Sequence, residues 1–596
     1  MDEKYTWDLT DIFRTEEDFE NEIKTVKDLL YEIKTYQGKL NNSSTNIYNC
    51  YNLYEKALEC YRKIYAYGML NFHLDMANSE NIKLFKRCQS IGTEFKKTTS
   101  FISVETTEIP VKTLIKYIEE NNDLKKYEKE LKEIIENKNH ILSNQEENLI
   151  ASFAEVFSSS KNTYDILTNT EFCFGKITKT DGIQEEISDS NYPLFMKDKN
   201  EEIRKQAFTL VNLKYKEFIN TITELYLTCV RQDTVISKMR KYHSSLEKAV
   251  ENNDATTKIF NSLLFAIHQF INVNHRFIEL KRKMLNKKEL HMYDMYVNPI
   301  EVKEDIITFE DARNEVINSL EVMGNNYLNV IKKAFENRWI DVYSRNNKRG
   351  GAYMMNVYGV HPYILDNFVG TREDISTIIH ELGHAMHRYY SNKSNNLLNS
   401  DYTTLVAEIV STTNEILLAK YQIEKETNNK KKAKIIYELL EMIRTTLFKM
   451  TMYTEFEKMV HNKVSNGEAL SSENLSSMYY DLNKFYFGNN CYLDNEIRYE
   501  WAAMPLLYRP FYVYTYATGI SAAIIIATNI WNKKEGYVEK YIEMLKQGCT
   551  KKAVDLLKMV DVDLEDVNTY KNAIEFYNEM IDELENHWGC NNAKRI

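Results

Sequence analysis

Apolar residues recur at helical spacing along most of this chain. From about Glu16 to Asn139, Leu, Ile and Tyr return every three or four residues among charged positions, and the pattern resumes near Lys199. Glycine (17 residues) and proline (6 residues), the two residues that interrupt helices, are scarce in the 596-residue chain. The pattern predicts a mainly α-helical protein.

Two stretches alternate apolar and polar residues instead. Residues 170–187, TEFCFGKITKTDGIQEEI, include an Asp-Gly turn and predict a short hairpin. Residues 348–370, KRGGAYMMNVYGVHPYILDNFVG, alternate Tyr, Met and Val between glycines and predict one or two short strands. The end of the hairpin indicates a division of the chain into an N-terminal helical region, 1–190, and a second domain, 191–596.

The composition bears on partners and location. The net charge is −11 with acidic and basic residues interspersed, so neither nucleic acid nor an anionic membrane is expected as the main partner. The apolar run GISAAIIIATNIW, 519–531, is too short to span a bilayer and predicts a buried helix. The N-terminus is acidic without an apolar signal region, and the eight cysteines form no C-x-x-C pair, so a reduced cytoplasmic protein is expected.

The stretch TIIHELGHAMHRYY holds three histidines in a chain that has only 12. Thr371 and Asp374, three residues apart, predict the start of the helix that carries it. Four residues make about one helical turn, so His380 and His384 share a face and can bind one Zn²⁺ ion. Glu381 is displaced by about 100° around the axis, where its carboxylate can accept a proton from an activated water.

A third metal ligand must come from another element, and the sequence offers two candidates. The stretch YTTLVAEIVSTTNEILLAKYQ predicts a helix from about Tyr402, with Glu408 off its apolar stripe and Glu415 on the flank. Either carboxylate could complete a site with an open fourth position for water. His387 is expected to support the site or pack beside it, because three ligands on one straight helix would splay too far to meet one ion.

Three tyrosines are candidates for stabilising a reacting carbonyl oxygen. Tyr508, Tyr512 and Tyr516 repeat every four residues and would share a face if their segment is helical. A tyrosine hydroxyl can donate to an oxyanion without carrying charge. The alternative is that they are ordinary core or surface residues, since the chain has 42 tyrosines.

The extended stretch before the histidines is a candidate for binding peptides. A strand edge can pair with an extended peptide through main-chain hydrogen bonds, which hold a substrate in register with little demand on its side chains. The candidates in this stretch are Gly350, Gly351, Tyr353 and His361. The alternative for His361 is a turn residue, because proline follows it.

HELGHAMHRYYS followed by LVAEIVSTTNE resembles oligoendopeptidase F, within the family of thimet-oligopeptidase-like zinc peptidases. Further matching stretches, in the expected order along nearly the whole chain, are YTWDLTDIF, NTITELY, MYDMYVNPI, GGAYMMNVYGVHPYILDNFVGT and FYVYTYATGISAA. The resemblance implies a helical zinc-peptidase fold with a deep internal channel that admits short unstructured peptides, and a few short strands near the active site. It places the catalytic domain in 191–596 and makes 1–190 part of the channel wall.

The resemblance also implies roles for individual residues. It implies one Zn²⁺ per chain, with ligands that match His380, His384 and Glu408. Glu381 matches the general base, and Glu415 then becomes a partner that orients a ligand histidine. Tyr508 and Tyr516 match the region from which the family draws its tyrosines. The expected activity is zinc-dependent hydrolysis of internal bonds in oligopeptides.

One position departs from the family pattern. A histidine commonly follows the proline of this region, whereas here Leu506 follows Pro505. A leucine side chain cannot donate a hydrogen bond. We expect zinc binding to survive, and turnover to be slower or the substrate preference to be shifted.

Two other functions are compatible with the sequence. A zinc carboxypeptidase of related fold would remove C-terminal residues and would need a site for the free carboxylate. A catalytically impaired peptide-binding homologue would bind metal without turnover, and the intact set of histidines and glutamates argues against it. The sequence does not fix the oligomeric state.

Overall fold

The computed structural model of the protein describes residues 2–303 and 306–592 and is mainly helical, as the sequence predicts. Its contacts form two compact units, each assembled from separate segments of the chain. The first unit comprises Met1–Ile141, Glu304–Tyr421 and Ile526–Asp561, and the second comprises Leu142–Lys303, Gln422–Ile525 and Val562–Ile596. These units differ from the predicted division at residue 190, which stays a prediction about the domains.

Long amphipathic helices build the first unit, and their buried faces carry the apolar residues that recur every three or four positions. In the helix Glu16–Lys34, for example, Phe19, Ile23, Val26 and Leu30 are buried. The α-helices that lie wholly or mainly in this unit are Glu16–Lys34, Ser44–Leu74, Ser79–Glu108, Val111–Glu120, Glu128–Asn137, Phe309–Ser319, Gly324–Glu336, Arg372–Ser394, Thr404–Lys425, Tyr537–Lys546 and Ala553–Lys558.

A three-stranded sheet in the first unit contains the predicted extended stretch. The central strand Tyr363–Phe368 runs parallel to Ile340–Tyr343 and antiparallel to Tyr353–Met355. Both outer strands lie at an edge of the sheet, and Tyr353–Met355 is called the edge strand below. The strands predicted within 348–370 are thus confirmed, whereas Ile340–Tyr343 lies outside the stretch that the pattern marked. The edge strand packs against the helix Arg372–Ser394.

The helix Arg372–Ser394, called the histidine helix below, begins where the sequence predicts. The Thr371 hydroxyl accepts the Asp374 N–H at 3.2 Å, and the Asp374 carboxylate accepts the N–H groups of Gly370 and Thr371 at 2.8 Å each. Gly370 has a φ of 95°, a backbone conformation that favours glycine. The carboxylate at the first turn also complements the positive end of the helix dipole.

The helix Thr404–Lys425, called the glutamate helix below, crosses the histidine helix at very short distance. A Cβ atom on Gly383 would lie 2.7 Å from the Cα atom of Ser411, so only glycine fits this crossing. Asn414 on the glutamate helix donates to the Ile379 carbonyl on the histidine helix at 3.3 Å. Because residue 383 is a glycine, the two helices can approach this closely, and the contact sets their spacing.

The second unit is also helical and contains the predicted hairpin. Its strands Lys176–Thr178 and Gln184–Glu186 pair antiparallel, which confirms the hairpin. A second pair, Leu290–His291 with Cys491–Tyr492, is parallel. The α-helices that lie wholly or mainly in this unit are Asn144–Ser152, Ala154–Ile166, Tyr192–Met196, Glu201–Glu217, Ile219–Met239, Ser245–Glu251, Thr257–Met284, Asn429–Ile443, Met450–Ser465, Ser472–Phe487, Tyr514–Trp531 and Val567–Asn592.

The apolar run at 519–531 lies in the helix Tyr514–Trp531 and is largely buried. The prediction of a buried helix is confirmed. Among the helices of residues 2–303 and 306–592, none combines the length and the hydropathy that a membrane crossing requires.

Candidate metal centre and active site

Three side chains from the histidine helix and the glutamate helix converge at one point in the first unit. His380, His384 and Glu408 each offer a ligand atom, and these atoms lie within 4.8 Å of one another. The His380 Nε2 atom is 3.7 Å from a Glu408 oxygen, and the two imidazole centroids are 4.8 Å apart. Two imidazoles and one carboxylate, all partly exposed, match a zinc site that keeps one position open.

Glu415 contacts the Nδ1 atom of His380, the ring nitrogen that faces away from Glu408. Its Oε1 atom is 2.5 Å from His380 Nδ1, and its Oε2 atom accepts from the Ser376 hydroxyl at 3.1 Å. Because this contact uses the hydrogen on Nδ1, the Nε2 lone pair is left for a cation on the side of Glu408. The donor set therefore fits a bound metal ion, and the two glutamates lie on opposite sides of one imidazole ring.

Burial and neighbouring charges shift the pKa values of all three candidate ligands. Burial lowers the pKa of His384 to about 3, with His380 and Arg388 adding to the effect, so this imidazole is neutral at pH 7. Burial also lowers the pKa of His380, but Glu415 outweighs it and the pKa is raised. Burial raises the pKa of Glu408, His380 opposes the rise, and Glu415 adds to it. A divalent cation at the centre would offset both the burial and the repulsion of the two carboxylates.

Glu381 lies beside the ligand group on the histidine helix. The residue is 8% exposed. Burial raises its pKa to about 7; His380 opposes the rise, whereas the carboxylates of Glu408 and Asp366 add to it. The backbone amide of Met354 in the edge strand lies close enough to the carboxylate to lower the pKa in part. A carboxyl group poised near neutral pH is suited to accept and return a proton.

His387 lies outside the ligand group. Its ring is fully buried and stacks parallel on Tyr402, with the centroids 3.6 Å apart. The Cζ atom of Arg388 lies 4.0 Å from the Tyr402 ring centroid, and the Tyr402 hydroxyl is 3.5 Å from the His384 carbonyl. These are the contacts of a packing residue behind His384, one of the two roles that the sequence left open.

The predicted peptide-binding residues lie at two different places. Tyr353 is in the edge strand, and Gly350 and Gly351 precede it with open space around both and a φ of 77° at Gly351. His361 lies two residues before the central strand, where its ring stacks on Trp339 with centroids 4.6 Å apart. A role in substrate binding stays a prediction for all four candidates.

Tyr508, Tyr512 and Tyr516 do not share a helix face, because no single helix contains all three. Tyr508 ends a 3-10 turn, and only Tyr516 lies within the α-helix that follows. Between them, Pro510 restricts the backbone of the residue before it, and Phe511 has a φ of 48°. Tyr512 falls in this irregular segment, so the helical repeat is broken there.

All three tyrosines belong to the second unit. The Tyr508 hydroxyl is 3.5 Å from the Ile222 carbonyl, and its ring is 4.5 Å from that of Tyr164. The Cζ atom of Arg509 lies 3.7 Å from the Tyr512 ring centroid. The rings of Tyr512 and Tyr516 meet edge-on, with their centroids 5.4 Å apart. Their role as oxyanion donors stays a prediction.

Asp366 is a residue near the site that the pattern analysis did not mark. It lies in the central strand, is 3% exposed, and has one carboxylate oxygen without a hydrogen-bond partner in the described part of the chain. Burial raises its pKa to about 7. The signal was present in the sequence, because an aspartate inside the apolar stretch YILDNF is a buried charge, which proteins avoid unless it has a task.

Two protein-family models match the chain. The model described as peptidase family M3 matches residues 194–576, and the model described as oligopeptidase F matches residues 105–174. The chain belongs to peptidase family M3. It is a metallopeptidase, so the predicted enzyme class and the resemblance to oligoendopeptidase F are confirmed. The two matched segments lie on either side of residue 190, where the domain division stays a prediction.

The similarity to other M3 peptidases extends over nearly the whole chain. Oligopeptidase PepF of Bacillus subtilis is 34% identical over 97% of this chain and 87% of its own length. Crystal structures of oligoendopeptidase-F from Enterococcus faecium and of a protein assigned as a peptidase from Chlamydophila abortus are 25% and 26% identical, with TM-scores of 0.74 and 0.92. They cover 96% and 98% of this chain and 99% of their own chains. The predicted mainly helical peptidase fold is thereby confirmed.

Replacing Glu415 by glutamine is expected to weaken zinc binding to this M3 peptidase by about 10–100-fold. A neutral amide orients His380 less strongly and does not raise the basicity of its Nε2 atom. Competition with a chromophoric zinc chelator measures the affinity. Glu424→Gln is the control, because Glu424 is an exposed residue of the same helix. Equal zinc affinities for wild type and Glu415→Gln would contradict the orienting role.

Proposed function

We propose that this chain is a zinc endopeptidase that hydrolyses internal peptide bonds of short, unstructured oligopeptides with one Zn²⁺ per chain. The observation that carries the proposal is the setting of His380, with Glu415 on Nδ1 and Glu408 3.7 Å from Nε2. Membership in peptidase family M3 and the similarity to oligoendopeptidases support the substrate class. The internal channel implied by the resemblance stays a prediction.

The proposed mechanism assigns the proton transfers to Glu381. A zinc ion bound by His380, His384 and Glu408 would supply a Lewis acid that activates a water and polarises the scissile carbonyl. Glu381 accepts a proton from the water as its oxygen adds to the carbonyl carbon, and then gives that proton to the leaving amine. The buried position of Glu381 supports both steps, because a pKa near 7 lets one carboxyl group accept and donate at neutral pH.

Substrate is proposed to lie along the edge strand Tyr353–Met355. Its outer edge offers main-chain N–H and C=O groups to an extended peptide. The Met354 amide lies beside the Glu381 carboxylate, so a peptide held by this strand passes the general base. Tyr508 and Tyr516 are proposed as hydrogen-bond donors to the oxyanion on the strength of the resemblance alone.

The protein is proposed to act in the cytoplasm. Seven cysteines are free in the described part of the chain, among them the buried Cys50, Cys88 and Cys491. Free thiols persist in a reducing compartment, where disulfides are rare.

Cleavage of a quenched-fluorescent oligopeptide tests the proposal. The purified protein is assayed as isolated, after chelation, and after zinc is restored, with zinc content measured at each stage. Mass spectrometry of the products locates the cut. Activity that chelation removes and zinc restores, with cuts at internal bonds, is the expected result.

Two outcomes would replace the proposal. Removal of single residues from the C-terminus alone would favour a carboxypeptidase. Stoichiometric zinc without cleavage of any peptide in a varied set would favour a peptide-binding homologue, with Leu506 as the first position to change.

A further inference from the structure

Arg349 has no acidic partner and lies shortly before the edge strand of the first unit. In the described part of the chain, no carboxylate is within ion-pair distance of its guanidinium, which contacts His73 and Tyr353 instead. Arg345, four residues earlier, shows the common arrangement, with Nη1 2.7 Å from an Asp341 oxygen. A guanidinium that the protein leaves without a counter-charge is available to an anion from outside.

The position of Arg349 is fixed by its backbone and by its side chain. Its N–H donates to the His73 carbonyl at 3.0 Å, and its carbonyl accepts from the Asn367 side chain at 3.0 Å. Its Nη1 atom is 3.1 Å from His73 Nε2, and its Cζ atom is 5.5 Å from the Tyr353 ring centroid. A guanidinium held in this way loses little conformational entropy when it binds a planar carboxylate.

The hydrogen bonds around His73 leave Tyr353 with a hydrogen to donate. A guanidinium can only donate, so His73 Nε2 accepts from Arg349 and the ring hydrogen is on Nδ1. This Nδ1–H donates to the Tyr353 hydroxyl oxygen at 2.7 Å, which leaves the O–H hydrogen for another acceptor. His73 is 5% exposed, and burial, with Arg349 adding, lowers its pKa to about 4, which agrees with a neutral ring.

The strand that carries Tyr353 packs against the histidine helix, which holds the proposed reaction centre. Tyr353 and Met354 are consecutive residues of the edge strand, and the Met354 amide lies beside Glu381. A peptide paired with the strand advances by about 3.3 Å per residue. A substrate group that meets Arg349 therefore belongs to a residue within a few positions of the cleaved bond.

We infer that Arg349 and Tyr353 bind a carboxylate of the peptide substrate, with Arg349 as a specificity-determining residue and His73 as the residue that positions it. The inference rests on the proposed peptidase function. The carboxylate belongs either to the C-terminus of a short peptide or to an Asp or Glu side chain near the cleaved bond. Both sources present the same planar anion to the guanidinium.

A set of quenched-fluorescent oligopeptides of one neutral sequence separates the two sources. It comprises the peptide with a free C-terminal carboxylate, its C-terminal amide, and amides that carry Glu or Gln at successive positions. We would measure kcat/KM for the zinc-loaded wild type, Arg349→Met, Arg349→Lys and His73→Leu. Arg14→Met is the control for loss of charge, because Arg14 is an exposed arginine of the same unit.

Binding is measured separately from turnover. Fluorescence anisotropy with the zinc-loaded Glu381→Gln variant gives peptide affinities without hydrolysis. The same measurement on the double variant with Arg349→Met shows how much of the affinity for the carboxylate depends on the guanidinium.

We expect the wild type to prefer one carboxylate-bearing peptide over its neutral counterpart by about 10–100-fold, the usual effect of charge-assisted hydrogen bonds. Arg349→Met is expected to bring this ratio close to 1. Arg349→Lys should retain part of the ratio, because it keeps the charge without the fork geometry. His73→Leu should lower the ratio without removing the charge, and Arg14→Met should leave it as in the wild type.

The inference is overturned if the wild type shows no such preference, or if Arg349→Met lowers kcat/KM equally for the charged and neutral peptides. Its failure is distinct from failure of the proposed function. Cleavage without any preference for a carboxylate rejects the inference alone. Arg349-dependent binding of the carboxylate peptide, with no cleavage of any peptide, rejects the proposed function alone.

Discussion

Glutamine at position 381 is expected to lower kcat for peptide hydrolysis by about 10²–10⁴-fold while zinc content stays the same. The amide has nearly the shape of the carboxyl group but cannot accept the proton of the attacking water or return one to the leaving amine. Burial raises the pKa of Glu381 to about 7, so the native side chain can do both at neutral pH. The loss should appear in kcat rather than in KM, because the peptide itself is held elsewhere.

The measurement pairs steady-state kinetics with zinc content and thermal unfolding of the same samples. Glu373→Gln is the matched control, since Glu373 is an exposed residue in the first turn of the same helix. Glu381→Gln should unfold at the same temperature as the wild type or higher, because burying a carboxylate costs free energy that a neutral amide avoids. A kcat within a few-fold of the wild type would rule out Glu381 as the general base.

Removing the carboxylate of Glu441 is expected to destabilise the second unit by about 3–5 kcal/mol, the cost of leaving buried charge without its partner. The Lys281 side chain is 0% exposed, and its Nζ atom is 2.9 Å from a Glu441 oxygen. Arg444 donates to the other oxygen through Nε at 2.9 Å. In Glu441→Ala two cations therefore face each other in the interior without an anion between them.

Denaturant unfolding followed by circular dichroism measures this loss. Glu438→Ala is the control, because Glu438 lies one turn earlier on the same helix with its side chain 45% exposed, and its ion pair with Lys434 spans 3.6 Å. Exposed pairs of this kind contribute about 0–1 kcal/mol. Replacing Lys281, Glu441 and Arg444 together by apolar residues should recover most of the stability. Equal losses for Glu441→Ala and Glu438→Ala would show that the buried pair is unimportant.

The pH dependence of this loss of stability gives a second measure of the interaction of Glu441 with Lys281 and Arg444. Burial alone would raise the pKa of Glu441, but Arg444 and Lys281 outweigh it and lower the pKa to about 2. A carboxyl group whose pKa falls on folding contributes stability above its unfolded pKa, about 4.5, and loses it as the pH falls further. The difference in the free energy of unfolding between wild type and Glu441→Ala should be complete from pH 4.5 to neutral pH and shrink towards pH 2. It should also shrink above about pH 8, where Lys281, whose pKa burial lowers to about 8, loses its charge.

Much of the candidate site could be predicted from the sequence because its signals are local. The capping pair Thr371 and Asp374 fixes where the histidine helix begins, and a spacing of four residues brings His380 and His384 onto one face. Helix geometry needs no distant partner to decide these features. The hairpin at 170–187 was predictable for the same reason, since an Asp-Gly turn and an alternating pattern act over a few residues.

The tyrosine segment shows where a local pattern gives the wrong geometry. Tyr508, Tyr512 and Tyr516 have helical spacing, yet no helix connects them. A signal against the helix was in the sequence, because proline disfavours helical backbone in the residue before it, and Arg509 precedes Pro510. Arg509 accordingly has a φ of −115° and a ψ of 92°.

By itself the sequence determined the helical class, the two helices that carry the metal-binding candidates, and the strands within 170–187 and 348–370. These helices and strands follow from periodicity, caps and turns, which depend on neighbouring residues, whereas the family followed from the resemblance of the motifs. Spacing cannot separate Glu408 from Glu415, since residues seven apart share a helix face, and the resemblance alone implied their different roles. The tertiary structure decided that they approach opposite nitrogens of one imidazole, that of His380. It also decided the contact of Arg349 with His73, 276 residues away, because packing of distant segments, and no local rule, brings such side chains together.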